Sequence, residues 1–122
     1  MLTHRLNLIA KFNSMEISPS KLNDWMNKID PSLLQIIDCR EPDEWEICRI
    51  EGSKLIPLST FAESINQFKD SKSMTFVIYC HHGIRSLHAT HHMKSKGFQN
   101  TYSLSGGIEK WSCDIDPTIP RY

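Results

Sequence analysis

One stretch of this chain restricts its fold more than any other. The apolar run 74–79 ends at Cys80, and a segment with helical spacing begins five residues later, at Arg85. A buried strand that enters a helix through so short a loop gathers unpaired backbone N–H groups at the positive end of the helix dipole. Such a point favours an anion and lowers the pKa of a thiol placed there. We therefore predict that Cys80 is an activated thiolate nucleophile rather than a structural thiol.

Short apolar segments alternate with helical ones along the rest of the chain. We predict strands at 15–17, 33–38, 54–57, 74–79 and 100–104. We predict helices at 18–30, from 41, from a cap at 59 or 60 to 68, from about 85 to 97, and at 108–111. This alternation is typical of an α/β fold whose parallel sheet is covered by helices on both faces. Such sheets bind ligands at the carboxyl ends of their strands, and Cys80 lies at one of them.

Length and composition fit a single packed domain. The chain has 122 residues, of which 39% are hydrophobic and 23% charged. We interpret residues 1–14 as a lead-in and residues 15–122 as one domain, which includes an irregular tail from about residue 114.

Charge and cysteine spacing exclude several classes of protein. Basic and acidic residues balance at 14 each, so no overall field attracts nucleic acid or an anionic membrane. No apolar run approaches the ~20 residues of a membrane span, and we expect no signal peptide. The four cysteines form no C-x-x-C pair, and His88 and His92 share a helix face without a cysteine or carboxylate partner. We predict reduced thiols, a cytoplasmic location, no metal site and no cofactor.

Four segments occur in the order found in a known family. They are Asp38-Cys39-Arg40-Glu41, the stretch 44–53 leading to Ile56-Pro57, the loop from Cys80 to Arg85, and the stretch 104–108 followed by Trp111. In these segments the chain resembles a single-domain rhodanese, a type of sulfurtransferase. The resemblance implies a rhodanese-like fold with a central five-stranded parallel sheet flanked by helices.

The resemblance also implies an activity and a site. Cys80 matches the position that carries a persulfide, and the residues that match the loop around it are His81, His82, Gly83, Ile84 and Arg85. The implied reaction moves sulfane sulfur from thiosulfate or a persulfide donor to a thiophilic acceptor. One alternative is a protein-to-protein sulfur relay with little thiosulfate activity. A phosphatase or arsenate reductase is less favoured, because related dual-specificity phosphatases have a loop one residue longer.

Several residues in and after the loop have predicted roles. The planar fork of Arg85 suits an oxyanion such as thiosulfate, and Gly83 lets the backbone turn inward. Ser86 either bonds to the loop or caps the following helix, and we favour the cap. His81 and His82 are either solvated or shape the approach of donor and acceptor, and they would add positive charge in mildly acidic solution.

The aspartate–arginine motif supplies supporting residues. Asp38 is expected to hydrogen-bond loop backbone near the site, and Arg40 to form an ion pair that holds the following loop. Cys39 and Cys48 stand where the family has other residues. Cys39 either lies near Cys80, where a disulfide would inactivate the site, or is a buried inert thiol.

Overall fold

The computed structural model describes residues 15–122, so the predicted lead-in at 1–14 lies outside the described residues. The strands are β1 Glu16–Ile17, β2 Leu34–Asp38, β3 Ser53–Leu55, β4 Thr75–Tyr79 and β5 Thr101–Leu104. The α-helices are α1 Pro19–Lys28, α2 Pro42–Ile47, α3 Phe61–Ser64, α4 Ile84–Ser95 and α5 Gly107–Asp114. Short 3₁₀ turns occupy Pro31–Leu33, Leu58–Thr60 and Ile65–Phe68.

The five strands form one sheet in the order β1-β5-β4-β2-β3, and every neighbouring pair is parallel. This confirms the predicted fold. The register of β2 and β4 pairs Asp38 with Tyr79, and the Cys39 amide donates to the Tyr79 carbonyl at 3.0 Å. Cys39 and Cys80 therefore follow adjacent strands at the same carboxyl end of the sheet.

Apolar side chains cover both faces of the sheet. Adjacent residues of β2 and β4 point to opposite faces, so each nearly continuous apolar run supplies two cores. One core joins the sheet to α3 and α4 through Ile37, Phe61, Phe76, Ile78 and Met93. The other joins it to α1 and α5 through Leu22, Ile36, Val77, Ile108 and Trp111. Among residues 15–122, no helix is both long and apolar enough to cross a membrane.

Local capping sets most helix boundaries as predicted. The Ser18 hydroxyl accepts from the Lys21 amide at 3.1 Å and Pro19 opens α1, which confirms that start. After α4 ends at Ser95, Gly97 adopts a φ of +97° and closes the helix. The last helix is longer than expected, because it begins at Gly107 and runs to Asp114.

The predicted helix at 59–68 is wrong as a single element. The segment breaks into the 3₁₀ turn Leu58–Thr60, the single turn α3 and the 3₁₀ turn Ile65–Phe68. Thr60 offers no capping hydrogen bond. Burial of Phe61 and Ile65 therefore holds the segment in place in the absence of a regular helical ladder.

Candidate functional site

The Cys80 sulfur lies at the carboxyl end of β4, beneath the loop that leads into α4. The Gly83 amide donates to its Sγ at 3.1 Å and the Ser86 amide at 3.4 Å. Only 1% of the Cys80 surface is exposed. Two backbone N–H groups and the positive end of a 12-residue helix thus meet at one buried sulfur.

Two glycines give the loop its shape. Gly83 is the N-cap of α4 with a φ of +101°, a left-handed conformation that side chains disfavour. Gly107 begins α5 directly under the loop, where an added Cβ would lie 2.5 Å from the Cys80 carbonyl oxygen. The Ile108 amide donates to that carbonyl at 2.9 Å, and the Glu109 amide donates to the His81 carbonyl at 3.1 Å. The carbonyls of Cys80 and His81 thus bond to α5, whereas the Gly83 and Ser86 amides face the sulfur.

Ser86 contacts the sulfur with its side chain as well as its backbone. Its hydroxyl lies 3.4 Å from the Cys80 Sγ and 2.8 Å from the Ser103 hydroxyl. When the thiol is ionised, the Ser86 hydroxyl can donate to the sulfur while it accepts from Ser103. The interpretation of Ser86 as the helix cap is therefore wrong, because Gly83 caps α4 and Ser86 lies inside its first turn.

Cys39 follows β2 as Cys80 follows β4, so the two thiols lie at the ends of paired strands. Cys39 is fully buried and shares a core cluster with Cys80. The pKa of Cys80 is lowered to about 5, chiefly by a hydrogen bond from the Cys39 thiol. Burial opposes this shift, and hydrogen bonds from Ser86 and Gly83 add to it. The hydrogen bond between the two thiols raises the pKa of Cys39, so Cys39 keeps its proton and donates it. Cys39 thus lies beside Cys80, as the first alternative expects, and is fully buried, as the second expects, with both thiols free.

Asp38 and Arg40 form a fully buried ion pair beside the site. Arg40 Nη2 lies 2.6 Å from Asp38 Oδ2 and also donates to the Cys48 carbonyl at 2.6 Å. Asp38 Oδ1 accepts from the Arg40 amide at 2.9 Å. Arg40 thus holds the segment after α2, as expected of a structural ion pair, and Cys48 lies beneath it with its Sγ 3.9 Å from Arg40 Nη1.

Arg85 is paired with a carboxylate of the protein. Its Nη1 and Nη2 donate to the two carboxylate oxygens of Glu44 at 2.6 and 3.0 Å. This bidentate pairing, opposed by burial and helped by Tyr122, lowers the pKa of Glu44 to about 2. Both terminal nitrogens of the fork that we predicted for an oxyanion are bonded to a carboxylate of the protein itself.

The remaining loop residues line the surface. His81 stacks between His82, at 3.9 Å between ring centroids, and Tyr122, at 3.8 Å. Burial and the neighbouring His82 lower the pKa of His81, so it stays neutral to more acidic solution than we expected. Ile84 is 69% exposed and presents an apolar side chain beside the loop.

Sequence reasoning missed Glu44, Ser103 and Tyr122. Glu44 belongs to a capping box with Glu41, and this pattern explains its place in α2 but not its bond to Arg85. Ser103 and Tyr122 carry no local signal at all, because their contacts with the site come from distant parts of the chain.

The part of the chain that the structure describes holds no group of three or more metal-ligating side chains. His88 is exposed, whereas His92 packs edge-on against Phe61 at 6.4 Å. His92 therefore belongs to the packing of α4 against the segment that carries Phe61.

Comparisons with known proteins agree with this architecture. The chain is 36% identical over 106 residues to a Mycobacterium tuberculosis protein described as probable adenylyltransferase/sulfurtransferase MoeZ, covering 87% of this chain and 26% of that protein. It is 40% identical over 91 residues to the rhodanese-like/PpiC domain-containing protein 12, chloroplastic, of Arabidopsis thaliana, covering 72% and 30%. The chain thus spans less than a third of either relative.

A solved structure agrees as well. A rhodanese-like domain protein from Staphylococcus aureus superposes with a TM-score of 0.71 at 27% identity, covering 79% of this chain and 89% of that one. The family profile described as a rhodanese-like domain matches residues 18–114. The chain therefore belongs to the rhodanese-like domain family.

Proposed function

We propose that this protein is a sulfurtransferase that carries sulfane sulfur as a persulfide on Cys80. The observation behind the proposal is the convergence of the Gly83 and Ser86 amides on one buried sulfur. Because its pKa is about 5, Cys80 is a thiolate at neutral pH and needs no general base to become a nucleophile.

The first half-reaction loads the cysteine. The Cys80 thiolate attacks the outer sulfur of a donor such as thiosulfate and forms a new S–S bond. The bond between the two sulfurs of thiosulfate breaks, and sulfite leaves with the electron pair. The persulfide is itself an anion, so the same amides and the dipole of α4 stabilise the product as well as the attacking thiolate.

The second half-reaction removes the terminal sulfur from Cys80. A thiolate acceptor, or cyanide in an assay, attacks the terminal sulfur, and Cys80 leaves as the thiolate from which it started. Because its pKa is low, Cys80 is a good leaving group in this step. Two half-reactions of this kind give ping-pong kinetics.

A protein persulfide donor or thiol acceptor is the second candidate for the natural partner. The description of the Mycobacterium relative as an adenylyltransferase/sulfurtransferase points in this direction. The Glu44–Arg85 pair favours it as well, because Glu44 occupies the two terminal nitrogens of Arg85 that would otherwise bind a dianion such as thiosulfate. The four unpaired thiols suit a reducing compartment, so we propose a cytoplasmic location, with neither nucleic acid nor membrane as a partner.

Mass spectrometry of the intact protein tests the reaction class. Incubation with thiosulfate should add one sulfur, about 32 Da, and cyanide should remove it. Cys80→Ser should abolish the gain, because Cys39, the thiol beside it, has a raised pKa and stays protonated. Cys113→Ser is the matched control, since Cys113 is the exposed cysteine, and it should leave the gain unchanged.

Two results would contradict the proposal. Addition of sulfur that persists in Cys80→Ser would place the chemistry on another cysteine. Phosphatase turnover that is faster than sulfur transfer would show that the loop from Cys80 to Arg85 admits a phosphate, as the alternative requires.

A further inference from the structure

The mouth of the Cys80 site contains a second ion pair that sulfur transfer does not require. Glu44 projects from α2, and Arg85 projects from the first turn of α4. Nη1 and Nη2 of Arg85 donate to the two carboxylate oxygens of Glu44. Glu44 raises the pKa of Arg85 most, and the Cys80 thiolate raises it further. The Glu44 carboxylate is therefore the negative charge in contact with the two terminal nitrogens of Arg85.

Tyr122 fixes the position of Glu44. Arg40 Nη1 donates to the Tyr122 hydroxyl at 2.8 Å, and a guanidinium has donors only. The phenol must therefore accept from Arg40, and its own proton goes to Glu44 Oε2 at 2.6 Å. The phenol thus connects the buried Asp38–Arg40 pair to the Glu44–Arg85 pair at the mouth.

The segment that carries Tyr122, residues 115–122, is itself anchored. The Ser112 hydroxyl donates to the Ile119 carbonyl at 2.7 Å, and Ile119 packs against the core formed with α1 and α5. Arg121 Nε donates to Glu109 Oε1 at 2.7 Å. Stacking of Tyr122 on His81 completes the attachment beside the loop.

From these contacts we propose that Glu44 is a specificity-determining residue that occupies the fork of Arg85 and disfavours oxyanion donors, and that Tyr122 is the residue that positions it. A dianion such as thiosulfate must either displace the Glu44 carboxylate or bind beside a like charge. With a thiol persulfide, the Cys80 thiolate bonds to the terminal sulfur, the S–S bond of the donor breaks, and the parent thiolate leaves with the electron pair. No oxyanion then lies next to the reacting sulfur, so the donor does not need the fork of Arg85. The site therefore selects organic persulfides over thiosulfate, an inference that rests on the proposed function of Cys80.

Steady-state kinetics test the inference in the intact protein. Glu44→Gln keeps the shape and removes the charge, so the KM for thiosulfate should fall about tenfold while kcat changes less than about twofold. Tyr122→Phe keeps the ring stacked on His81 and loses the bond to Glu44, so the KM should fall about threefold. The double variant should lower the KM for thiosulfate no further than Glu44→Gln alone. In all three variants, kcat/KM for glutathione persulfide should stay within about twofold of the starting protein.

Glu46→Gln is the matched control. It removes the same charge from the same helix at an exposed position. It should leave the KM for thiosulfate unchanged. An equal fall in Glu46→Gln would assign the effect to overall charge and overturn the inference, as would an unchanged or higher KM in Glu44→Gln.

Direct binding separates this inference from the proposed function. In a Cys80→Ser background no sulfur can be transferred, so calorimetric titration with thiosulfate measures affinity alone. Addition of Glu44→Gln to that background should tighten binding about tenfold, and further addition of Arg85→Ala should remove the gain. Tighter binding supports the inference even if the protein forms no persulfide. Unchanged binding overturns the inference even if Cys80 accepts sulfur.

Discussion

Cys80 combines two properties that usually oppose each other, burial and a low pKa. Burial alone raises the pKa of a thiol, because the thiolate loses its hydration. Here four donors outweigh that effect: the Cys39 thiol, the Ser86 hydroxyl, and the Ser86 and Gly83 amides. Cys39 makes the largest contribution, and the neighbouring strand β2 places it there.

Removing the Cys39 donor should raise the pKa of Cys80. The rate at which iodoacetamide alkylates Cys80 follows the thiolate fraction, so its midpoint should lie near pH 5 in the starting protein. In Cys39→Ala we expect the midpoint to rise by about one unit or more, so that alkylation at pH 6 slows. Cys39→Ser retains a donor and should shift less. Peptide mapping follows Cys80 separately from the other cysteines.

Cys113→Ser controls for the loss of a thiol far from the cradle. It should leave the midpoint where it is. If the Cys39→Ala profile coincides with that of the starting protein, the Cys39 thiol makes no contribution to the thiolate.

At the scale of elements, the cradle is made by two helices and not one. The helix α4 supplies the amides that face the sulfur, and α5 takes up the carbonyls of Cys80 and His81 through its own first turn. This division is feasible only because Gly107 lets the backbone of α5 approach the loop closely.

Gly107→Ala should therefore lower the free energy of unfolding by more than a left-handed glycine normally does. Gly52 is the matched control, because it has a φ of +85° and nothing within 4 Å of an added Cβ. Gly52→Ala should cost about 1–2 kcal/mol from backbone strain alone. Gly107→Ala adds a clash with the Cys80 and His81 carbonyls, and urea denaturation should show the larger loss. Equal losses would mean that the loop moves away freely.

At the scale of the whole molecule, the buried Asp38–Arg40 pair connects the sheet to the chain after α2. Both side chains are fully buried, and Arg40 also reaches the Cys48 carbonyl and the Tyr122 hydroxyl. Regions that are distant in sequence, the sheet edge, the α2 segment and the segment 115–122, thus meet at one guanidinium.

Arg40→Leu should lower the free energy of unfolding by about 3–5 kcal/mol, because it leaves the Asp38 carboxylate buried without a counter-charge. Urea denaturation measures the loss. Replacing both residues by Leu should recover part of it, since no buried charge then remains. The exposed pair of Lys28 with Asp24 is the comparison, and Lys28→Ala should change stability little. A small loss in Arg40→Leu would show that water reaches Asp38.

The fold was predictable because its signals are local. Nearly continuous apolar runs predict buried parallel strands, and Ser18, Pro19 and Gly97 mark helix ends through contacts within a few residues. The helix predicted at 59–68 was wrong for the opposite reason, because contacts distant in sequence decide its structure. Packing of Phe61 and Ile65 overrides a helical pattern that has no capping bond.

The sequence by itself determined the five-stranded parallel sheet and the loop that surrounds Cys80, because strand, loop and helix follow one another within about a dozen residues. Only the tertiary structure decided which side chains act on that sulfur and on Arg85. Cys39 reaches Cys80 across two paired strands, Glu44 reaches Arg85 over 41 positions, and Tyr122 reaches Glu44 over 78. Short-range rules of backbone and capping do not extend over such separations, so the charges at the mouth are set by how the layers pack.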